Sequence, residues 1–100
     1  MRAVSVDIKK SPKKEKKFRA IFKDTNGKII KQTDFGSAGM SDFTIHKDKD
    51  RRKRYRNRHR KDLDTKDFKR AGYLSYYILW GDSSNFDKAI KDYKIRFKLK

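Results

Sequence analysis

Val4, Val6 and Ile8 alternate with Ala3, Ser5 and Asp7, and a period of two marks a strand with one buried face. A short strand is therefore predicted at the start of the chain. Phe18, Ala20 and Phe22 repeat the pattern against Arg19, Ile21 and Lys23. Asn26-Gly27 follows, the pair that best tolerates positive φ at both centres of a type I′ turn. Beyond it Ile29, Lys31, Thr33 and Phe35 fall on one face of a returning strand. Between the two patterns lies KKSPKKEKK, residues 9–17, read as a hydrophilic connector that cannot bury itself.

After the hairpin, GSAG (Gly36 to Gly39) is a turning link, and Met40 to His46 reads as irregular or briefly extended, with Phe43 and Ile45 as core candidates. Asp48 to Lys61 has no Gly, Pro or β-branched residue, so a helix is allowed there. Its only apolar side chain is Tyr55. Asp48/Arg52 and Asp50/Arg54 are favourable i,i+4 pairs, opposed by Arg52/Arg56, Arg54/Arg58 and Arg56/Arg60. Asp64 and Asp67 predict an N-cap before an amphipathic helix carrying Phe68, Ala71, Leu74, Ser75, Ile78 and Leu79, with Gly72 and Ser75 allowing close approach to a neighbour. Gly81 stops that helix. Ser84 to Asp87 predicts a second capping box, opening a helix with Phe86, Ala89, Ile90, Tyr93 and Phe97 in one stripe.

Strands followed by helices predict an α+β domain, a small antiparallel sheet covered by about three helices. One domain over residues 1–100 is expected. It divides into strand plus basic connector (1–17), hairpin and glycine loop (18–46), basic helix (47–61) and two amphipathic helices (64–97).

Charge changes the picture. Thirty Lys and Arg stand against 13 acids, a formal charge of +17, and a compact chain so charged repels itself unless an anion compensates. Residues 47–61 concentrate ten Lys or Arg against two Asp, along about 21 Å if helical. Duplex DNA offers one phosphate charge per roughly 1.7 Å of axis. Lys47, Arg51, Arg52, Lys53, Arg54, Arg56, Arg58, Arg60 and Lys61 are accordingly the candidate polyanion-binding residues, with Lys13, Lys14, Lys16 and Lys17 as a second patch. Arginine suits phosphate because its planar fork donates two parallel hydrogen bonds. Solvated helical faces ordinarily mix their signs, and this one does not.

Tyr73, Tyr76, Tyr77 and Trp80 serve either as core filling or as stacking surface for bases. Tyr76 and Tyr77, off the Leu74/Ile78 stripe, are the candidates for exposure and stacking. Catalysis finds little support: His46 and His59 are the only histidines, and the Asp48/Asp50 pair lacks the glycine and distal Glu of a calcium loop. A nuclease site of Asp42, His46 and Asp48 around magnesium can be drawn, but acids at helix N-termini already have a structural role. No cofactor and no metal is expected. Cysteine is absent, excluding disulfides and zinc-thiolate sites. No apolar run suffices for a signal peptide or a membrane span, so a soluble protein of the cell interior or of an assembled particle is expected.

The stretch TDFGSAGMSDFTIHKDKDRRKRYRNRH, with AGYLSYYILWG and FDKAIKDYKIRF, resembles a family of small basic proteins encoded by nucleocytoplasmic large DNA viruses of algae and amoebae. The likeness spans roughly residues 16–97. It rests on Phe35, Gly36, Gly39, Asp42, Phe43, Thr44, His46, Lys47 and Asp48, then Ala71, Gly72, Leu79 and Trp80. Lys61 to Lys66 departs from the family pattern, which there has a tryptophan-containing acidic loop. The resemblance implies a viral setting, a virion location and assembly in the host cytoplasm or nucleus. It makes two non-enzymatic roles concrete: packaging DNA, in preference to RNA, by phosphate binding without sequence specificity, or cementing acidic capsid-protein surfaces as a minor capsid protein.

Overall fold

A computed structural model describes residues 2–100. Strands β1 (Ser5–Lys10), β2 (Lys16–Lys23) and β3 (Ile29–Ser37) form one antiparallel sheet in the order β1-β2-β3. Four helical pieces follow: α1 (Phe43–His46), α2 (Lys49–His59), α3 (Ala71–Leu74, running on as a π-helical turn over Ser75–Leu79) and α4 (Phe86–Arg96), with a 3-10 segment at Arg60–Thr65. The α+β class predicted from the order of the patterns is the one observed.

Register explains which side chains are inside. Val6 faces Phe22 and Ile8 faces Ala20 across β1/β2, while Phe18 faces Phe35 and Ala20 faces Thr33 across β2/β3. These positions share one side of the pleat. α3, its π-helical extension and α4 close over that side, and Leu74, Ile78, Leu79, Ala89 and Tyr93 complete the core. Each large buried side chain contributes roughly 1.5–3 kcal/mol of transfer free energy. Tyr93 is fully buried, and its hydroxyl donates to the Phe68 carbonyl at 2.5 Å, the partner that makes such burial tolerable.

The hairpin is present, but its turn is of another type. Asn26 does not take positive φ; Gly27 does, at 80°. The Gly27 N–H donates to the Asp24 carbonyl at 3.0 Å, and the Asp24 N–H to the Lys28 carbonyl at 2.9 Å, as in a type I turn followed by a left-handed residue. The Asp24 carboxylate fixes the loop by accepting from the Asn26 and Lys28 amides. The register shifts by one residue between Phe22 and Lys23. That bulge reverses the parity at the start of β3, so Ile30 packs on the core and Ile29 is exposed.

Both ends of the predicted connector are regular structure. β1 runs to Lys10 and β2 begins at Lys16, leaving Ser11 to Glu15 as the loop of a second hairpin. Ser11 is buried, and its hydroxyl donates to Asp34 at 2.8 Å. Asp34 also accepts two hydrogen bonds from Arg19, its cross-strand partner, at 2.9 and 3.0 Å. A polar segment thus becomes ordered by pairing with other polar groups rather than by apolar burial.

Three further expectations change. Met40 to His46 contains a helical turn capped by Asp42, with Phe43 buried and Ile45 exposed. Asp64 and Asp67 cap no α-helix: α3 begins at Ala71 after an Arg70 that makes no side-chain cap, and Asp67 accepts instead from the Lys69 amide. The cap of α4 is Asn85, accepting from the Lys88 amide at 2.9 Å, one residue beyond Ser84. Gly72 does make a close approach, to Asp62. Among the described residues no helix is long and apolar enough to cross a membrane.

Candidate nucleic-acid interface

The basic helix is set in place by its caps. Asp42 caps α1 by accepting from the Thr44 amide at 2.9 Å and from the Thr44 hydroxyl, and it holds the Lys17 ammonium at 2.5 Å. Lys47 ends α1 in the left-handed region, and the chain turns at once into α2. There Asp48 accepts from the Asp50 and Arg51 amides at 3.0 and 3.2 Å. These backbone bonds, the one from Arg51 first, hold its carboxyl below the usual carboxylate range. The Asp48 amide in turn donates to His46 Nδ1 at 2.9 Å. Desolvation pushes the His46 pKa down, as does the nearby Arg51 charge. Asp42, His46 and Asp48 are therefore engaged in local structure.

Lacking any buried residue, α2 is fastened by rings and guanidinium groups. Tyr55 stacks on Trp80 with ring centroids 4.2 Å apart and planes 6° from parallel, and His59 stacks on Tyr55 at 4.1 Å. Arg56 Nε donates to the Trp80 carbonyl at 2.8 Å and its Nη2 to Asp82 at 2.9 Å. That hydrogen bond keeps the Asp82 carboxyl below its ordinary range. Arg52 donates to the Gly81 and Asp82 carbonyls, both at 3.3 Å, and lies over Phe43. The carbonyls of residues 80–82 end the π-helical turn, where the helix dipole is negative and favours cations.

The predicted arginine set therefore divides. Arg52 and Arg56 are turned inward and satisfied by the chain itself, and they do not belong to an open binding face. Arg51, Arg54, Arg58 and Arg60 are exposed, and among the described residues none has a carboxylate at ion-pair distance. Neither Asp48/Arg52 nor Asp50/Arg54 closes into an ion pair; Asp48 is occupied as a cap.

Arg51, Arg54 and Arg58 come together with Lys16 and Lys17 of β2 around a cleft of about 540 Å³ between α2 and the sheet. Asp42 and Asp62 also line it, each engaged, by Lys17 and by His59 at 3.2 Å. Lys53, Arg60, Lys61 and Lys47 are exposed elsewhere on α2 and its flanks, and Lys13 and Lys14 lie on the exposed β1–β2 loop. The exposed stacking pair is corrected: Tyr76 is buried beneath Arg56, and Tyr77 is half-buried with Arg96 4.5 Å above its ring. The aromatic groups at the cleft are Tyr55, Trp80 and Phe35.

The carbonyls of residues 80–82 escape sequence reasoning because a carbonyl carries no residue signature, and Asp82 because it lies 26 residues from Arg56 in the chain. The helical spacing of Arg52 and Arg56, set apart from Arg51, Arg54 and Arg58, was available as a clue. No apolar stripe says which side faces inward.

A model of a family of unknown function (DUF5754) matches residues 6–59, more than half of the 100-residue chain. The chain belongs to that family. The DUF5754 match runs from β1 to the last residue of α2 and so contains all five cations of the cleft. No curated protein and no solved structure matches the chain.

Proposed function

We propose that this protein binds the phosphates of nucleic acid without sequence specificity and without catalysing a reaction, in the viral setting implied by the resemblance by holding packaged DNA. The observation carrying this reading is the set of exposed arginines, Arg51, Arg54 and Arg58 on α2 and Arg60 just beyond it, with no ion-pair partner among the described residues; the first three converge with Lys16 and Lys17. Like charges so crowded repel one another, and a polyanion relieves the repulsion. Arg52 and Arg56 support the reading indirectly, since they hold α2 to the body and present its other side to solvent.

Duplex DNA titrations across a salt series test the proposal. Affinity falls on a log-log plot with a slope of roughly −0.9 per phosphate neutralised. Replacing Arg51, Arg54 and Arg58 together by Gln makes that slope shallower by about 2.7, at roughly 0.9 for each contact removed. A slope unmoved by the triple change, or no binding at low salt, rejects the reading.

A further inference from the structure

We infer that the cleft between α2 and the sheet receives a single unpaired nucleotide, its phosphate among Arg51, Arg54 and Arg58 and its base against the apolar lining. This rests on the phosphate-binding reading and deepens it. Three properties argue for a nucleoside phosphate over a bare anion or a duplex groove.

The cleft encloses about 540 Å³, within the range of small-ligand pockets, whereas a duplex is too wide to enter it and meets the same exposed arginines only from outside. Its lining has two characters. The cations lie at α2 and β2, while exposed Met40 and half-buried Tyr55 and Trp80 supply apolar and aromatic surface over a buried floor of Phe35 and Leu79. Inorganic phosphate leaves that surface in water, and a base covers it, with Ser37 and Ser41 available to base edges. Finally, Lys17 is already paired with Asp42, so an entering anion meets Arg51, Arg54, Arg58 and Lys16 against one remaining carboxylate, that of Asp62, which is hydrogen-bonded to His59.

The same chemistry arises from a free nucleotide or from an unpaired stretch of a strand, and one experiment separates them. Trp80 is the sole tryptophan and lines the cleft, so its fluorescence reports occupancy alongside calorimetry. The intact protein is titrated with adenosine diphosphate, pyrophosphate, adenosine, a short oligothymidine and duplex DNA. Expected is a Trp80 signal with adenosine diphosphate or oligothymidine at affinities at least roughly tenfold above pyrophosphate and adenosine. The better binder of the first two identifies the source. R54Q/R58Q, at exposed unpaired positions, lowers nucleotide affinity by roughly tenfold or more, and M40A, at an exposed position, lowers it by a few-fold.

Pyrophosphate binding as tightly as adenosine diphosphate, or no Trp80 response to any nucleotide, overturns the cleft inference. If duplex binding persists in that event, only the cleft inference falls. If duplex binding is absent as well, the phosphate reading falls with it.

Discussion

Gly27 and Gly81 are glycines for opposite reasons. Gly27 has φ 80° with open space around its missing side chain, so Ala there incurs only left-handed strain, roughly 1 kcal/mol. Gly81 sits where a Cβ would lie 2.1 Å from the Tyr77 carbonyl oxygen. G81A must shift backbone and is expected to destabilise by roughly 3 kcal/mol, a ranking that urea melts of the two variants check. Asp34 carries a pH signature. Hydrogen bonds from Arg19 pull its carboxyl down to about 2. A depressed carboxylate stabilises fully above its unfolded value of about 4, and that stability disappears as pH falls through about 2. D34N is therefore less stable than the parent at neutral pH and approaches it in acid, measurable by circular dichroism melts along a pH series.

At the scale of the element, α2 is the least self-sufficient part of the fold. Its polar sequence gives no apolar face, and like charges at i,i+4 oppose it. What holds it is the Tyr55–Trp80 stack and the two inward arginines. An aromatic pair is worth roughly 0.5–1.5 kcal/mol beyond its buried area, so removing the Tyr55 ring in Y55A lowers hydrogen-exchange protection of α2 amides by roughly tenfold relative to β2 amides. Equal protection losses in β2 and α2 reject this view of the anchoring. Helix α4 contrasts with it. Ala89 and Tyr93 are buried along the predicted stripe, a period that was legible because apolar groups must be removed from water wherever the helix docks.

For the whole molecule, the net charge of +17 makes salt act in opposite directions on two measurements. Screening relieves self-repulsion, so the melting temperature of the free protein rises by several degrees from roughly 20 mM to roughly 300 mM salt, while affinity for DNA falls over the same range. Differential scanning fluorimetry beside the titrations checks both signs. By itself the sequence determined the strand alternations, the placement of the Asn26-Gly27 reversal, the stripes of the two C-terminal helices and the total charge. All of these depend on neighbours in the chain and on the removal of apolar groups from water, and a linear pattern records both. Only the tertiary structure decided that the bulge turns Ile29 out, that Ser11 and Asp34 order the lysine-rich loop, and that Arg52 and Arg56 face inward while Arg51, Arg54 and Arg58 do not. The bulge is a matter of strand register at the hairpin; the other outcomes depend on polar partners distant in sequence, several of them backbone carbonyls, and hydrogen bonding to a carbonyl leaves no mark on residue type.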